Sequence, residues 1–283
     1  MGRSNNQVRG GRASVEERAV SLAHRMLAGS GQASVVAYRL DEQPVLNSVA
    51  HGFTRRGELV VAAVVDPAEV GEELGVTGEP LEVRVDITKV APEPNVRIVA
   101  ASAHLLASLE WLHPLDAELL AGTGELPEIV AAVAAAPNGR LGVLDVARVV
   151  LHDGAGVTPL TFGQLLDHRH GAVGDPAEAV VTTEAAGLDV VTGVDRTDLA
   201  VMCDAAEQGW MTAHMLTQKP SLSGCAHTTN KDFVVDVDLT GVTVLRHAAQ
   251  LTSVYFIPFE QGRTSPAELT NNIRTLLGAH AAA

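Results

Sequence analysis

The sequence predicts an α+β protein in which an antiparallel β-barrel is followed by a smaller α+β domain. Two observations lead to this fold class. Between residues 33 and 162, short runs of alternating apolar and polar residues are joined by turn residues in hairpin order, which is typical of a small barrel. From residue 176 onward the pattern changes to helical segments, three further strands and a last helix. A chain of 283 residues is long enough for two domains.

The first predicted element is a helix that begins at a capping box. Ser14 caps the helix, and Glu17, three residues later, reaches back to the cap. Apolar residues follow at helical spacing, and Gly29 ends the helix. Residues 1–13 are basic and polar, and we expect them to form a disordered tail. No apolar segment follows them, so they do not predict a secretory signal.

The predicted barrel is organised around a long hairpin, Leu81–Trp111. Along its first arm Val83, Val85 and Ile87 share one face, and a proline-containing turn follows. The second arm has two mostly apolar faces with small side chains, which indicates a barrel strand or an interface strand. The other predicted elements of this domain are strands 33–40, 45–53, 59–65, 141–152 and 157–162, a short helix 66–74 and helical material over 114–136.

A polar, glycine-containing segment, residues 167–175, predicts the domain boundary. The expected domains are therefore 14–166 and 176–283. In the second domain the patterns predict helices over 176–186 and 195–208, a short helical turn over 212–218, and strands over 233–239, 242–247 and 253–259. A second capping box, Ser265 with Glu268, begins the last helix, which Gly278 ends. We expect the acidic residues at 232, 236 and 238 to lie on the solvent-facing side of their strand.

Composition excludes some classes of function. A net charge of −14 argues against a nucleic-acid backbone as partner, and an aromatic content of 3% argues against base-stacking surfaces. No apolar run is long enough to predict a membrane span. Cys203 and Cys225 have neither metal-site nor redox-motif spacing, which fits buried thiols in a cytoplasmic protein.

Several segments resemble a known family. The segments Val237–Val242, Tyr255–Phe259 and Ser265–Leu269 resemble the small C-terminal domain of the HugZ-type haem-utilisation family. Residues 34–53 resemble the first two strands of an FMN-binding split β-barrel like that of pyridoxamine-phosphate oxidase, and 101–111 resembles a segment of actinobacterial members. The resemblance covers residues 15–277.

This resemblance implies a split β-barrel and a homodimer with haem or flavin at or near the shared interface. Some members of the family degrade haem oxidatively with an external electron source. The chain departs from the family in two places. Residues 187–195 contain no histidine where relatives have a histidine-rich helix, and the flavin-phosphate cluster is reduced to Arg55 and Arg56.

The candidate site residues are histidines and arginines. His51 ends a strand just before Arg55 and Arg56, and an imidazole with two guanidinium groups can hold a phosphate or a haem propionate. The alternative is a hairpin end with solvated charges. His104, in the middle of a strand, is either a cofactor contact or a hydrogen-bonded core or interface residue. His280, in the C-terminal tail, is a candidate haem iron ligand by position, or an incidental histidine in a frayed tail.

Three functions remain open. The first is haem binding, with oxidative haem degradation for iron acquisition as the associated activity. The second is an FMN-binding oxidoreductase on the same split barrel. The third is a non-catalytic binding or regulatory protein that has lost the cofactor. His168 and His170 lie two residues apart, but only Asp167 is near enough in sequence to complete a metal site, so a linker is the alternative.

Overall fold

The computed structural model describes residues 12–66, 77–170, 176–221, 228–260, 262 and 264–278. This part of the chain contains seven helices and eleven strands in two compact units. The barrel unit comprises residues 19–91 and 97–185. The small unit comprises the described residues up to Arg18, the segment Pro92–Val96 and the described residues from Ala186 onward. The predicted α+β fold class is confirmed, and the domain limits 14–166 and 176–283 stay a prediction.

The barrel unit is built on six antiparallel strands that close into a barrel. The sheet order is β3-β2-β1-β4-β5-β6-β7, and β3 also pairs with β6, which closes the ring. The elements of this part are α1 (Val15–Leu27) from Ala19 onward, β1 (Gln32–Val36), β2 (Val45–Phe53), β3 (Leu59–Val64), β4 (Leu81–Val90), β5 (Val99–Trp111), α2 (Pro114–Gly122), α3 (Glu128–Ala134), β6 (Gly139–Asp153), β7 (Gly156–Leu160), α4 (Phe162–His170) and the first part of the helix Pro176–Gly193.

The central hairpin of the barrel is the predicted one. Strands β4 and β5 pair from Leu81 opposite Leu109 to Val90 opposite Val99, and β5 pairs with β6 on its other side. Val83, Val85 and Ile87 are buried, as the alternation along β4 predicts. The same inward register continues to a charged residue, Lys89, which is also buried.

The barrel core contains side chains from both the strands and α1. Leu22, Met26 and Leu27 of α1 are fully buried in the same apolar cluster as the inward residues of β4 and β5. The predicted capping box begins this helix, with the Ser14 amide donating to Glu17 at 2.6 Å and the Glu17 amide donating to the Ser14 hydroxyl at 3.1 Å. A helix and a barrel thus share one core.

The small unit contains a four-stranded antiparallel sheet with helices. Its sheet order is β8-β11-β10-β9. Its elements are the C-terminal part of α5 (Pro176–Gly193), α6 (Arg196–Glu207), β8 (His214–Pro220), β9 (Lys231–Val237), β10 (Gly241–His247), β11 (Leu251–Pro258) and α7 (Pro266–Gly278). The division between the two units falls inside α5, between Ala185 and Ala186.

Two predictions for the small unit are wrong. Residues 214–220 form strand β8, where the sequence predicted a short helical turn. They form an edge strand with no buried residue, so they show no apolar alternation and gain their structure by pairing with β11. Asp236 and Asp238 are buried, where solvent exposure was expected. The Asp238 carboxylate accepts hydrogen bonds from the amides of Thr240 and Gly241, which stabilises the turn before β10.

Several predictions fall outside the described residues. They concern the tail up to residue 11, the short helix expected over 66–74 apart from its first residue, Cys225 and His280. Among the described helices, none combines the length and the apolar character that crossing a bilayer would need.

Candidate functional site

The barrel unit contains a cavity of about 1010 Å³. Its walls come from the turn between α1 and β1, the ends of β2 and β4, the loop before α3, α3 itself and the first part of α5. Most of the lining is apolar, and includes Phe53, Leu126, Pro127, Ile129 and Val181. A volume of this size is at the upper end of the range that small-molecule sites occupy. The cavity is therefore the first place to look for a ligand.

At the turn between α1 and β1, the wall of the cavity is formed by backbone that lies close against β4. Gly29 and Gly31 have φ angles of 113° and 108°, which side-chain-bearing residues rarely adopt. A Cβ on Gly31 would lie 2.7 Å from the carbonyl oxygen of Thr88, so this turn can lie against β4 only with glycine there. Ser30, between the two glycines, is buried and lines the cavity.

His51 lines the cavity but is held by the protein itself. Only 4% of the residue is exposed, and its Nε2 lies 2.7 Å from the carbonyl oxygen of Met26. Because a carbonyl can only accept, Nε2 carries the hydrogen and donates it. Burial lowers the pKa of the imidazole, while hydrogen bonds to the backbone of Met26 and Val49 act in the opposite direction. His51 is therefore neutral at neutral pH, and its Nε2 lone pair is not available to a metal.

The two arginines of the predicted site have different positions. Arg55 lines the cavity, is exposed, and its amide donates to the Glu125 carbonyl at 3.0 Å. Arg56 extends into solvent, with 74% of its side chain exposed, and its Nε lies 3.6 Å from Oε1 of Glu125. Thr54 holds this turn through its hydroxyl, which accepts from the Glu58 amide at 3.1 Å. The structure thus brings His51 and Arg55 to one cavity, and places Arg56 beside it.

Sequence reasoning missed a cluster of charged groups at the cavity wall, of which Lys89 and Glu184 line the cavity. Glu184 of α5 pairs with both Arg25 of α1 and Lys89 of β4, and Lys89 Nζ also donates to the Ser30 hydroxyl at 3.2 Å. The side chains of Arg25 and Lys89 are only 5% and 6% exposed. The sequence did contain one signal, because Lys89 continues the inward register of β4, where a lysine is unusual.

His104 lies elsewhere on the barrel. Its Nδ1 is 2.6 Å from Oδ1 of Asp86, the residue opposite it on β4, and 43% of its side chain is exposed. The His152 ring meets it edge to face at 5.0 Å between centroids. His104 is not part of the cavity lining. Its role in a ligand site stays a prediction, and so does that of His280, which is outside the described residues.

The described residues contain no group of three or more histidine, cysteine, aspartate or glutamate side chains that could hold a metal ion. His168 lies against His24, with ring centroids 5.4 Å apart. In the part of the chain that the structure describes, the cavity thus offers apolar surface, hydrogen bonds and charge rather than a ready set of metal ligands.

Comparison with known proteins finds similar structures but no family. No protein-family profile and no curated protein matches the sequence. A heme-binding protein from Mycobacterium smegmatis is 17% identical, with a TM-score of 0.48, over 96% of this chain and 99% of that chain. A protein of unknown function from Agrobacterium tumefaciens str. C58 is 14% identical, with a TM-score of 0.35, over 94% of this chain and 96% of that chain. At these values the similarity does not show the function of this chain.

Proposed function

We propose that this protein binds haem in the cavity of the barrel unit. The observation that carries the proposal is the cavity itself, about 1010 Å³ in volume, with mostly apolar walls and Arg55 among its lining residues. A planar apolar macrocycle with carboxylate substituents needs this combination of apolar surface and cationic groups. The resemblance of the sequence to haem-utilisation proteins points to the same ligand.

The residues present fit the macrocycle and its carboxylates. Phe53, Leu126 and Ile129 offer apolar surface to the ring, and the Arg55 guanidinium can pair with a propionate. His51 would act as a wall residue, since its Nε2 donates to the Met26 carbonyl. When bound, haem would supply the iron chemistry of the site. We propose His280 as the iron ligand, as its position in the sequence suggests.

The proposal is tested by titrating the purified protein with hemin and following the Soret band. We expect a saturable shift with one hemin per chain. Ala132 is exposed on α3 and lines the cavity, so the indole of Ala132→Trp should obstruct part of the cavity and weaken hemin binding at least tenfold. Ala135→Trp is the matched control, because Ala135 is exposed at the end of the same helix and does not line the cavity.

Two results would overturn the proposal. One is the absence of a saturable Soret shift in the wild-type protein. The other is equal hemin affinity of the Ala132→Trp and Ala135→Trp variants, which would place the ligand outside the cavity. An FMN titration in parallel tests the flavin alternative. Replacing His280 with Ala should change the position of the Soret band, whereas His247→Ala, a change in the small unit, serves as its control.

Oxidative haem degradation is a separate proposal that follows from the family resemblance. It predicts that hemin-loaded protein, given ascorbate in air, loses its Soret band and releases iron. If the Soret band persists under these conditions, the protein binds haem but does not degrade it.

A further inference from the structure

The outer face of the barrel carries two histidines on neighbouring strands. His104 of β5 and His152 of β6 alternate with buried residues of their strands, such as Leu105 and Leu151, so both side chains point away from the barrel core. Their ring centroids lie 5.0 Å apart, with the ring planes at 87°. Neither histidine lines the cavity, so the pair is separate from the proposed haem site.

A carboxylate fixes the orientation of the His104 ring. Nδ1 of His104 lies 2.6 Å from Oδ1 of Asp86, the residue opposite it on β4. Because a carboxylate oxygen can only accept, Nδ1 carries the hydrogen, and the neutral imidazole has its lone pair on Nε2. Arg84 donates through Nε to the other oxygen of Asp86 at 2.9 Å, which holds the carboxylate in place. A carboxylate bonded to one ring nitrogen is the arrangement that orients metal-binding histidines.

His152 can turn so that it faces the same point as His104. Its side chain is exposed, and within the described part of the chain its ring makes no hydrogen bond. An imidazole nitrogen binds Zn²⁺ at about 2.0–2.1 Å, so two rings on one tetrahedral ion have their centroids about 5 Å apart. The observed separation of 5.0 Å matches this value. Rotation of the exposed His152 side chain is therefore enough to direct a second nitrogen at an ion bound to His104.

The groups around the pair favour one class of metal ion. Arg84 offsets the negative charge of Asp86, so the pair does not offer the oxygen-rich, negatively charged shell that Ca²⁺ and Mg²⁺ need. Imidazole nitrogen suits late transition metals such as Zn²⁺ and Cu²⁺. Among the described residues no third histidine, cysteine or carboxylate completes a metal site, which leaves the other coordination positions to water.

We propose that His104 and His152 form a two-histidine site for a divalent transition metal ion, Zn²⁺ or Cu²⁺, and that Asp86 is the residue that positions His104. The proposal goes beyond haem binding and does not depend on it. Water in the remaining positions keeps the bound ion open to a further ligand, as in metal sites that are not closed by protein side chains.

Equilibrium dialysis of the EDTA-treated protein against Zn²⁺ tests the site. His104→Gln and His152→Gln each remove one ligand, and each should weaken the binding of one Zn²⁺ per chain at least tenfold. His247→Gln is the matched control, because it removes a histidine of the small unit. Asp86→Asn should weaken binding about tenfold, since the loss of such an orienting group costs about 10–100-fold in metal affinity. Excess Mg²⁺ should not displace the Zn²⁺.

Electron paramagnetic resonance of bound Cu²⁺ separates the two ligands from the positioning residue. The wild type and Asp86→Asn should both show two nitrogen ligands, whereas His104→Gln and His152→Gln should show one. Asp86→Asn thus changes the affinity and keeps the ligand set. If this variant binds Zn²⁺ as tightly as the wild type, the positioning role of Asp86 is wrong.

The inference is overturned if His104→Gln and His152→Gln lose no more Zn²⁺ affinity than His247→Gln does. The two rings would then be a surface contact only. His152→Gln decides alone if His104→Gln does not fold, because the His152 ring is exposed and gives up no hydrogen bond to the described residues. Hemin affinity of the same variants should equal that of the wild type, so failure of the metal site and failure of haem binding are distinguishable.

Discussion

Replacing His51 with Gln should remove a pH dependence of stability that this residue gives the barrel unit. Burial lowers the pKa of His51 in the folded protein below its ordinary value of 6.5. The unfolded chain therefore binds the proton more readily than the folded chain does. This contribution to stability is complete above about pH 6.5 and is lost as the pH falls through and below that value. A glutamine can still donate to the Met26 carbonyl, but it does not titrate.

The size of the effect follows from the linkage between protonation and folding. If His51 stays neutral in the folded protein, the proton bound by the unfolded chain at about pH 5.5 lowers the free energy of unfolding by about 1.4 kcal/mol relative to pH 7.5. This figure is an upper limit, because a folded-state pKa only slightly below 6.5 gives less. The two proteins differ only at this imidazole, so the difference between wild type and His51→Gln isolates its contribution.

The chain contains two tryptophans, which makes the assay specific to the barrel unit. Trp111 is 1% exposed in the barrel core, and Trp210 of the small unit is 73% exposed. In a Trp210→Phe background, the red shift of Trp111 emission reports unfolding of the barrel. Urea denaturation at about pH 7.5 and pH 5.5 then gives the two free energies. Parallel pH profiles for wild type and His51→Gln would show that the imidazole is not held neutral, and would refute the reasoning.

Two further predictions concern the small unit and the assembly. Glu93→Ala should lower the free energy of unfolding by about 2–3 kcal/mol, because the Glu93 side chain is 1% exposed, pairs with Arg196 at 2.6 Å and accepts from the Val234 amide at 2.9 Å. About half of the Arg196 side chain is exposed, so water can replace the missing carboxylate, and this limits the loss of stability. Urea denaturation followed by circular dichroism measures this loss of stability. Glu118→Ala, a change at an exposed residue of α2, is the control. A loss below about 0.5 kcal/mol for Glu93→Ala would contradict the role of Glu93 as a buried ion-pair partner. Light scattering at micromolar concentration should give a dimer, as the family resemblance implies, and a monomer would exclude a site shared between copies.

The strands of the barrel were predictable because alternation along a strand is local information. Val83, Val85 and Ile87 are separated by single polar residues, and the same register leads to Lys89. The partners of Lys89 were not predictable in this way. Glu184 is 95 residues from Lys89 and 159 residues from Arg25, so only the folded chain brings the three together. Edge strand β8 has no buried residue, and its pairing with β11 is likewise non-local.

The sequence pointed to part of the cavity lining, and the charged groups that it missed change the chemistry of the cavity. The sequence pointed to His51 and Arg55, which do line one cavity, and suggested an imidazole that could contact a cofactor. In the fold, the Nε2 of His51 donates to the Met26 carbonyl, and the charged residues of the cavity lining include Arg55, Lys89 and Glu184. The cavity thus carries charges of both signs on mostly apolar walls. Because the Nε2 of His51 is committed to the backbone, haem bound in this cavity would need an imidazole from elsewhere in the chain, and the Soret position of His280→Ala tests for one.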